Sequence, residues 1–150
     1  MSLHLGYEYR LNPTLALFGR AARAFRLPNA DERVGAGNPF DVVIPPNLNL
    51  KTQTSYDVEN GLRVTMGKFN FQTTGYIMEL TNEIHFIPAL FANVNLDPTQ
   101  RIGWENNASY QLSEDVRVRG GVTYMQATFR DGPFAGKTVP LVAPWTATPV

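Results

Sequence analysis

The 150-residue chain contains no cysteine, which excludes disulfides, thiolate metal sites and a cysteine nucleophile and is compatible with any compartment. It has no excess of either charge, with 13 Lys and Arg against 13 Asp and Glu, so it lacks the broad positive field that a nucleic-acid binder needs. No apolar run reaches the length of a membrane helix, and no signal peptide opens the chain. A hydropathy scan is nevertheless blind to membrane β-barrels, whose strands alternate and average to near-neutral hydropathy. Histidine is almost absent, at His4 and His85 only, and no Ser-His-Asp order, HExxH or phosphate loop is present.

What is present is alternation. Ile102, Trp104, Ala108, Tyr110 and Leu112 fall on one face of an extended segment, and Arg101, Glu105, Ser109 and Gln111 on the other. After a Ser113-Glu114-Asp115 turn, Val116, Val118, Val122 and Tyr124 oppose Arg117, Arg119 and Thr123. Residues 3–10 set Leu3, Leu5, Tyr7 and Tyr9 against His4, Glu8 and Arg10, and residues 52–66 set Tyr56, Val58, Leu62 and Val64 against Ser55, Asp57, Glu59 and Arg63. Residues 69–86 are read as one strand, with Tyr76, Met78, Leu80, Ile84 and Phe86 opposite Thr73, Glu79, Thr81, Glu83 and His85. Residues 14–25 are less regular, because Arg20 and Arg23 lie three apart and cannot share a face.

The expected fold is therefore all-β, an antiparallel up-and-down meander of six or seven strands. Two features favour lipid on the apolar side. The strands run about 12 to 15 residues, enough to cross a bilayer at a tilt where soluble strands average ~5 to 6. Short turns at 11–13, 66–68 and 113–115 also alternate with long connections at 26–50, 88–98 and 131–139, as periplasmic turns and extracellular loops do in outer-membrane barrels. Water on that side would make the chain a soluble all-β binding module such as a sandwich, and a passive porin-like barrel is the other membrane alternative.

Several phrases resemble the C-terminal part of the barrel of TonB-dependent outer-membrane receptors. Phe25-Arg26-Leu27-Pro28-Asn29 resembles the family's Phe-Arg-x-Pro. The run from Leu50 through Ser55 and Glu59 to Gly61 is similar to its Leu-Lys-Pro-Glu-x-Ser-x-x-x-Glu-x-Gly, with Thr52 and Gln53 in place of Pro and Glu. Tyr76 with Ile77 to Ile84, Asn95 with Gly103-Trp104-Glu105, and Gly136-Lys137-Thr138-Val139-Pro140 resemble three further family phrases in the same order. The resemblance implies part of a large transmembrane β-barrel of about 22 strands in the bacterial outer membrane. The expected domain is 1–150, a partial barrel whose plug domain and last strands are absent. The implied function is active transport of a scarce nutrient, a ferric siderophore or a cobalamin-like ligand, energised through TonB, with no enzymatic chemistry and no cofactor of its own. The implied partners are that ligand, a plug domain, TonB and outer-membrane lipid.

On this reading Asp57, Glu59, Arg63, Glu79, Glu83, His85, Arg101, Glu105, Arg117 and Arg119 face the lumen and a plug, and Asp31, Arg33, Phe40 and Asp41 in the long loop are the ligand-contact candidates. Gly61 and Gly103 leave room on the inward face. Tyr56, Tyr76, Trp104, Tyr110 and Tyr124 are expected as girdle or lipid-facing aromatics. The sharpest alternative is a metal or acid-base site at Glu79, Thr81, Glu83 and His85, but a spacing of two separates neighbours on one strand by ~6 to 7 Å, too wide for a compact site without help from an adjacent strand.

Overall fold

A computed structural model of the chain describes residues 2–34 and 47–149. The long strands are β1 (Leu3–Asn12), β2 (Leu15–Arg26), β3 (Gln53–Met66), β4 (Phe69–Thr81), β7 (Thr99–Gln111) and β8 (Arg117–Phe129). Shorter pieces are α1 (Ala30–Val34), β5 (Ile84–Ile87), β6 (Ala92–Asn95) and β9 (Trp145–Pro149). One seven-stranded sheet runs β1-β2-β3-β4-β7-β8-β9, each neighbour antiparallel, and β5 and β6 form a separate hairpin. At about 3.3 Å per residue a 13-residue strand such as β7 is ~43 Å long, and a 45° tilt projects it to ~30 Å, the thickness of a bilayer's hydrocarbon core.

The connections explain the meander. Gly67 and Lys68 join β3 to β4 in a two-residue loop, with Gly67 at φ 55° and Lys68 not left-handed, a geometry whose twist matches the flanking strands. The β1–β2 turn lies at Pro13-Thr14, where the Asn12 carboxamide accepts from the Thr14 amide at 2.9 Å and its hydroxyl at 2.7 Å. Both turns, and the one joining β7 to β8, lie at one end of the sheet. The long connections lie at the other, so the expected alternation of short and long links holds.

The sheet is a single layer. Among the described residues no second sheet packs on either face, so a sandwich core is not formed. Cross-strand register puts Leu5, Tyr7, Leu17, Val58, Ile77, Ile102, Trp104, Val122 and Tyr124 on one face, and most of them are exposed. A monomer bathed in water rarely exposes large apolar side chains on neighbouring strands across so wide a sheet. The small core, Ala127, Phe129 and Val139 with Leu96 and Val142 against them, sits at the loop end. There the 130–144 connection folds back along β8, with the Val139 amide donating to the Ala127 carbonyl at 3.0 Å.

Two expectations about faces need correction. Register pairs Tyr76 with Gly103 and Met78 with Arg101, so Tyr76, Met78 and Leu80 share the polar face, while Ile77 and Glu79 share the face of Ile102 and Trp104. Residues 69–86 are also two strands. Asn82 takes a left-handed φ of 56°, ends β4 and turns the chain, so Glu79, Glu83 and His85 do not form one row. The irregular second segment is an unbroken strand, with Arg20 on the polar face and Arg23 on the apolar one, its guanidinium 5.5 Å from the Tyr56 ring centre.

Candidate functional site: the polar face and the loop end

Alternation delivers Glu8, Arg20, Asp57, Glu59, Arg63, Arg101, Glu105, Arg117 and Arg119 to the polar face, where Arg20 pairs with the adjacent strand β3, Arg63 reaches across β2 to Glu8, and Arg101 pairs with Glu83 just beyond β4. Arg20 grips both Glu59 oxygens, at 3.1 and 3.2 Å, and reaches Asp57 at 3.2 Å. Arg63 donates to Glu8 at 2.7 Å and to Gln72 at 3.2 Å. Glu83, the buried carboxylate at the top of the wall, accepts from the Thr99 hydroxyl at 2.7 Å and from the Arg101 guanidinium. Arg117 donates to Gln111, and Arg119 has no carboxylate partner among the described residues.

Aromatic rings fill the gaps that glycines leave on this face. A Cβ at Gly103 would strike the Tyr76 ring, and one at Gly61 would strike the Phe18 ring and lie 2.6 Å from the Thr73 carbonyl oxygen. The room anticipated at Gly61 and Gly103 is therefore occupied by the wall's own side chains. Tyr76 accordingly belongs to the polar wall and not to an aromatic girdle.

Glu79 and His85 are corrected in position. Glu79 stands on the apolar face at the loop end and pairs with Arg130. His85 lies in the β5–β6 hairpin opposite Val94, its Nε2 buried without a partner. Among the described residues no group of three or more His, Cys, Asp or Glu is placed to hold a metal. The anticipated constellation is thus dispersed over one outer face, one inner joint and one loop.

The loop end is tied together by carboxamides. Asn29 and Glu32 cap α1 reciprocally, the Glu32 amide donating to the Asn29 side chain at 2.7 Å and the Asn29 amide to the Glu32 carboxylate at 2.9 Å. Partial burial works to raise the Glu32 pKa, but Arg26 at 2.6 Å and the Asn29 amide outweigh it and hold the carboxyl below its ordinary value. Asn95 accepts from the Lys51 amide at 2.7 Å and donates to the Lys51 and Asn82 carbonyls at 3.1 and 2.8 Å, joining three segments. Asn93 donates to the Glu32 carbonyl, and Asn47 to the Asn93 carbonyl. Gln53 accepts from the Ile84 amide at 3.2 Å.

Of the loop candidates, Asp31 is exposed, Arg33 is engaged in donating to the Leu48 carbonyl at 3.0 Å, and Phe40 and Asp41 lie outside the described residues. Sequence reasoning missed Asn47, Asn93 and Asn95 as loop ties. The Asn-x-x-Glu spacing at 29–32 was a readable cap signal. Between the β5–β6 hairpin and the 130–144 connection lies an apolar groove of about 710 Å³ lined by Ile87, Leu90, Val94, Phe129, Phe134 and Pro140.

Comparison with known proteins agrees with this geometry. The family model "TonB dependent receptor-like, beta-barrel" matches residues 2–150. Among solved structures, the copper transporter OprC superposes with a TM-score of 0.71 at 20% identity, over 96% of this chain and 22% of its own. The siderophore receptor PirA from Pseudomonas aeruginosa gives 0.65 at 25% identity, over 84% and 25%. The ferric yersiniabactin uptake receptor FyuA from Yersinia pestis gives 0.65 at 17% identity, over 96% and 21%. The chain thus spans about a quarter or less of these structures. No curated protein sequence matches it significantly.

Proposed function

Because the chain belongs to the TonB-dependent receptor β-barrel family of the bacterial outer membrane, we propose that it forms part of the wall of a receptor that actively imports a scarce metal-bearing nutrient. A ferric siderophore is the favoured cargo, with a cobalamin-like ligand as the second, and TonB supplies the energy. One observation carries the reading: a single-layer sheet of bilayer-spanning strands with an exposed apolar face on one side and a paired charge lattice on the other. Such a sheet is stable only with lipid on the first face and a polar filling on the second.

In this arrangement the short turns face the periplasm and the long connections face outward. Asp57, Glu59, Arg63, Arg101, Glu105, Arg117 and Arg119 line the lumen and meet a plug domain, Glu83 anchors the outer hairpin to the wall, and Glu79 and His85 lie off the lumen wall. The carboxamide-tied loop end presents ligand contacts, with Asp31 the exposed candidate and Phe40 and Asp41 candidates in the same connection. The barrel breaks and makes no bonds, so no residue is assigned a catalytic role.

The test is uptake of radiolabelled ferric siderophores by cells whose only high-affinity route is the full-length protein, with TonB intact or deleted. Uptake that saturates at low ligand concentration and vanishes without TonB is expected. Non-saturating uptake indifferent to TonB would place the protein among passive pores.

A further inference from the structure

At two steps of the chain an Asp or Asn precedes glycine, Asn60-Gly61 and Asp131-Gly132. Such steps are chemically labile, because a glycine amide carries no neighbouring Cβ to shield it from the side-chain carbonyl carbon before it. The fold treats the two oppositely. Asn60 and Gly61 lie in β3, paired with β2 on one side and β4 on the other, and the Asn60 carboxamide is engaged by the Tyr7 hydroxyl at 3.0 Å. Asp131 and Gly132 are exposed and lie outside every strand, in the connection that follows β8.

There the Gly132 amide donates to the carboxylate of Asp131 at 2.7 Å. Since Cγ is one C–O bond of ~1.2 Å from that oxygen, the nitrogen lies within about 4 Å of the carbon it would attack. Asp131 forms no ion pair among the described residues that would hold its carboxyl elsewhere. Glycine is also required at 132, both by its left-handed φ of 82° and because a Cβ would lie 2.5 Å from an Asp97 carboxylate oxygen.

We propose that Asp131-Gly132 is a site of spontaneous backbone modification, at which the folded protein converts aspartate to isoaspartate. The Gly132 nitrogen bonds to Asp131 Cγ while one oxygen of the protonated carboxyl departs as water, carrying the carboxyl and amide protons. The resulting succinimide takes up one water, and opening at the former main-chain carbonyl routes the backbone through the Asp131 side chain. No electrons are exchanged and the net mass is unchanged. The product has one more methylene in its backbone, inside a segment pinned at both ends: Phe129 donates to the Lys137 carbonyl at 2.9 Å and accepts from the Gly136 amide at 2.8 Å. Phe134, whose ring lies 5.7 Å from that of Phe129, is carried by the same segment and lines the apolar groove. Isomerisation therefore loosens the connection that closes the groove. The inference does not depend on the transport reading.

The test is incubation of the folded full-length protein in ¹⁸O-water at neutral pH, followed by proteolysis and fragmentation that separates isoaspartyl from aspartyl peptides. Label and isoaspartate at 131 are expected, at least about tenfold above any change at Asn60, since only the first step is free to bring its reacting atoms together. After unfolding in urea, Asn60 should deamidate readily, which shows that the ladder had protected it. Asp131→Glu, which keeps the charge but cannot close the five-membered ring, should abolish the label. Absence of label at 131, label at Asn60 of equal size in the folded protein, or label that survives Asp131→Glu overturns the proposal. As a second measurement, amides 134–139 should exchange faster in the isomerised fraction than in the unmodified one; equal rates refute the loosening.

Discussion

Glu83→Gln tests whether the loop end hangs on a buried ion pair. The Glu83 and Arg101 side chains are 9% and 17% exposed, and Thr99, which donates to the same carboxylate at 2.7 Å, is fully buried. Removing one partner of such a pair leaves the other charge desolvated and costs about 3–5 kcal/mol, whereas replacing both by well-packed neutral groups costs far less. The exposed pair Glu79–Arg130, at 43% and 45%, sets the contrast, since pairs of that kind contribute about 0–1 kcal/mol. The single variant should therefore lower the urea midpoint of the lipid-refolded full-length receptor and speed amide exchange in residues 84–98, because the Glu83 carbonyl also accepts from the Leu96 amide at 2.8 Å. Glu83→Gln with Arg101→Met should recover most of the loss, and Glu79→Gln should stay within ~1 kcal/mol. A loss below ~1 kcal/mol for Glu83→Gln alone, or a double variant as unstable as the single one, refutes the reasoning.

Gly61→Val should destabilise the barrel by about 1–3 kcal/mol through overpacking against Phe18 and the Thr73 carbonyl, read as a lower refolding yield and urea midpoint, whereas Gly75→Val, with open space at its Cβ, should not. Asn95→Ala should raise amide exchange around Lys51 and Asn82 together, because one carboxamide serves both segments; separate or absent changes would show that they are held independently. The folded pKa of Glu32 lies below its ordinary value of 4.5, so the α1 cap is fully present above that pH and is lost as pH falls through the lowered value. Proteolysis of the connection around α1 should accelerate only on acidification below that point, and Glu32→Gln should abolish the pH step.

The sequence made most of the strands, the short turns and the polar row of β3, β7 and β8 legible, because there every charged residue agrees with one parity. It misled at β4, where parity was read from Tyr76, Met78 and Leu80. Those side chains are apolar for local reasons: Tyr76 covers Gly103, and Leu80 is buried near the loop end. The other half of the strand held the true signal, since Phe69 and Phe71 alternate with Asn70 and Gln72 and register with the apolar residues of β7. The dispersal of Glu79, Glu83 and His85 hinged on one left-handed residue, Asn82, which no alternation pattern reveals. The carboxamide ties at the loop end were unreadable for a different reason. Asparagines in loops look like generic turn formers, and only the fold brings residues 47, 93 and 95 beside their partners.

Which solvent meets the apolar face is argued most sharply by the polar groups found on it. Asn60 lies on that face, and its carboxamide oxygen accepts the Tyr7 hydroxyl at 3.0 Å across Gly19, whose missing side chain clears the path. The Trp104 indole, half exposed, donates to the Thr73 hydroxyl at 2.6 Å on the neighbouring strand. In water neither pairing is needed, because solvent satisfies both groups. In hydrocarbon an unpaired hydroxyl or amide costs about 4–8 kcal/mol, and cross-strand pairing is the device that removes the cost without breaking the ladder. Arg23 follows the same logic at the loop-ward edge of the face, where its charge lies over the Tyr56 ring and its end can reach the interface. A face that is apolar in bulk, ties the Tyr7 hydroxyl and the Trp104 indole to neighbouring strands and keeps Arg23 and Glu79 at its loop-ward rim is built for a membrane, and the charge lattice on the opposite side is then the surface turned away from lipid.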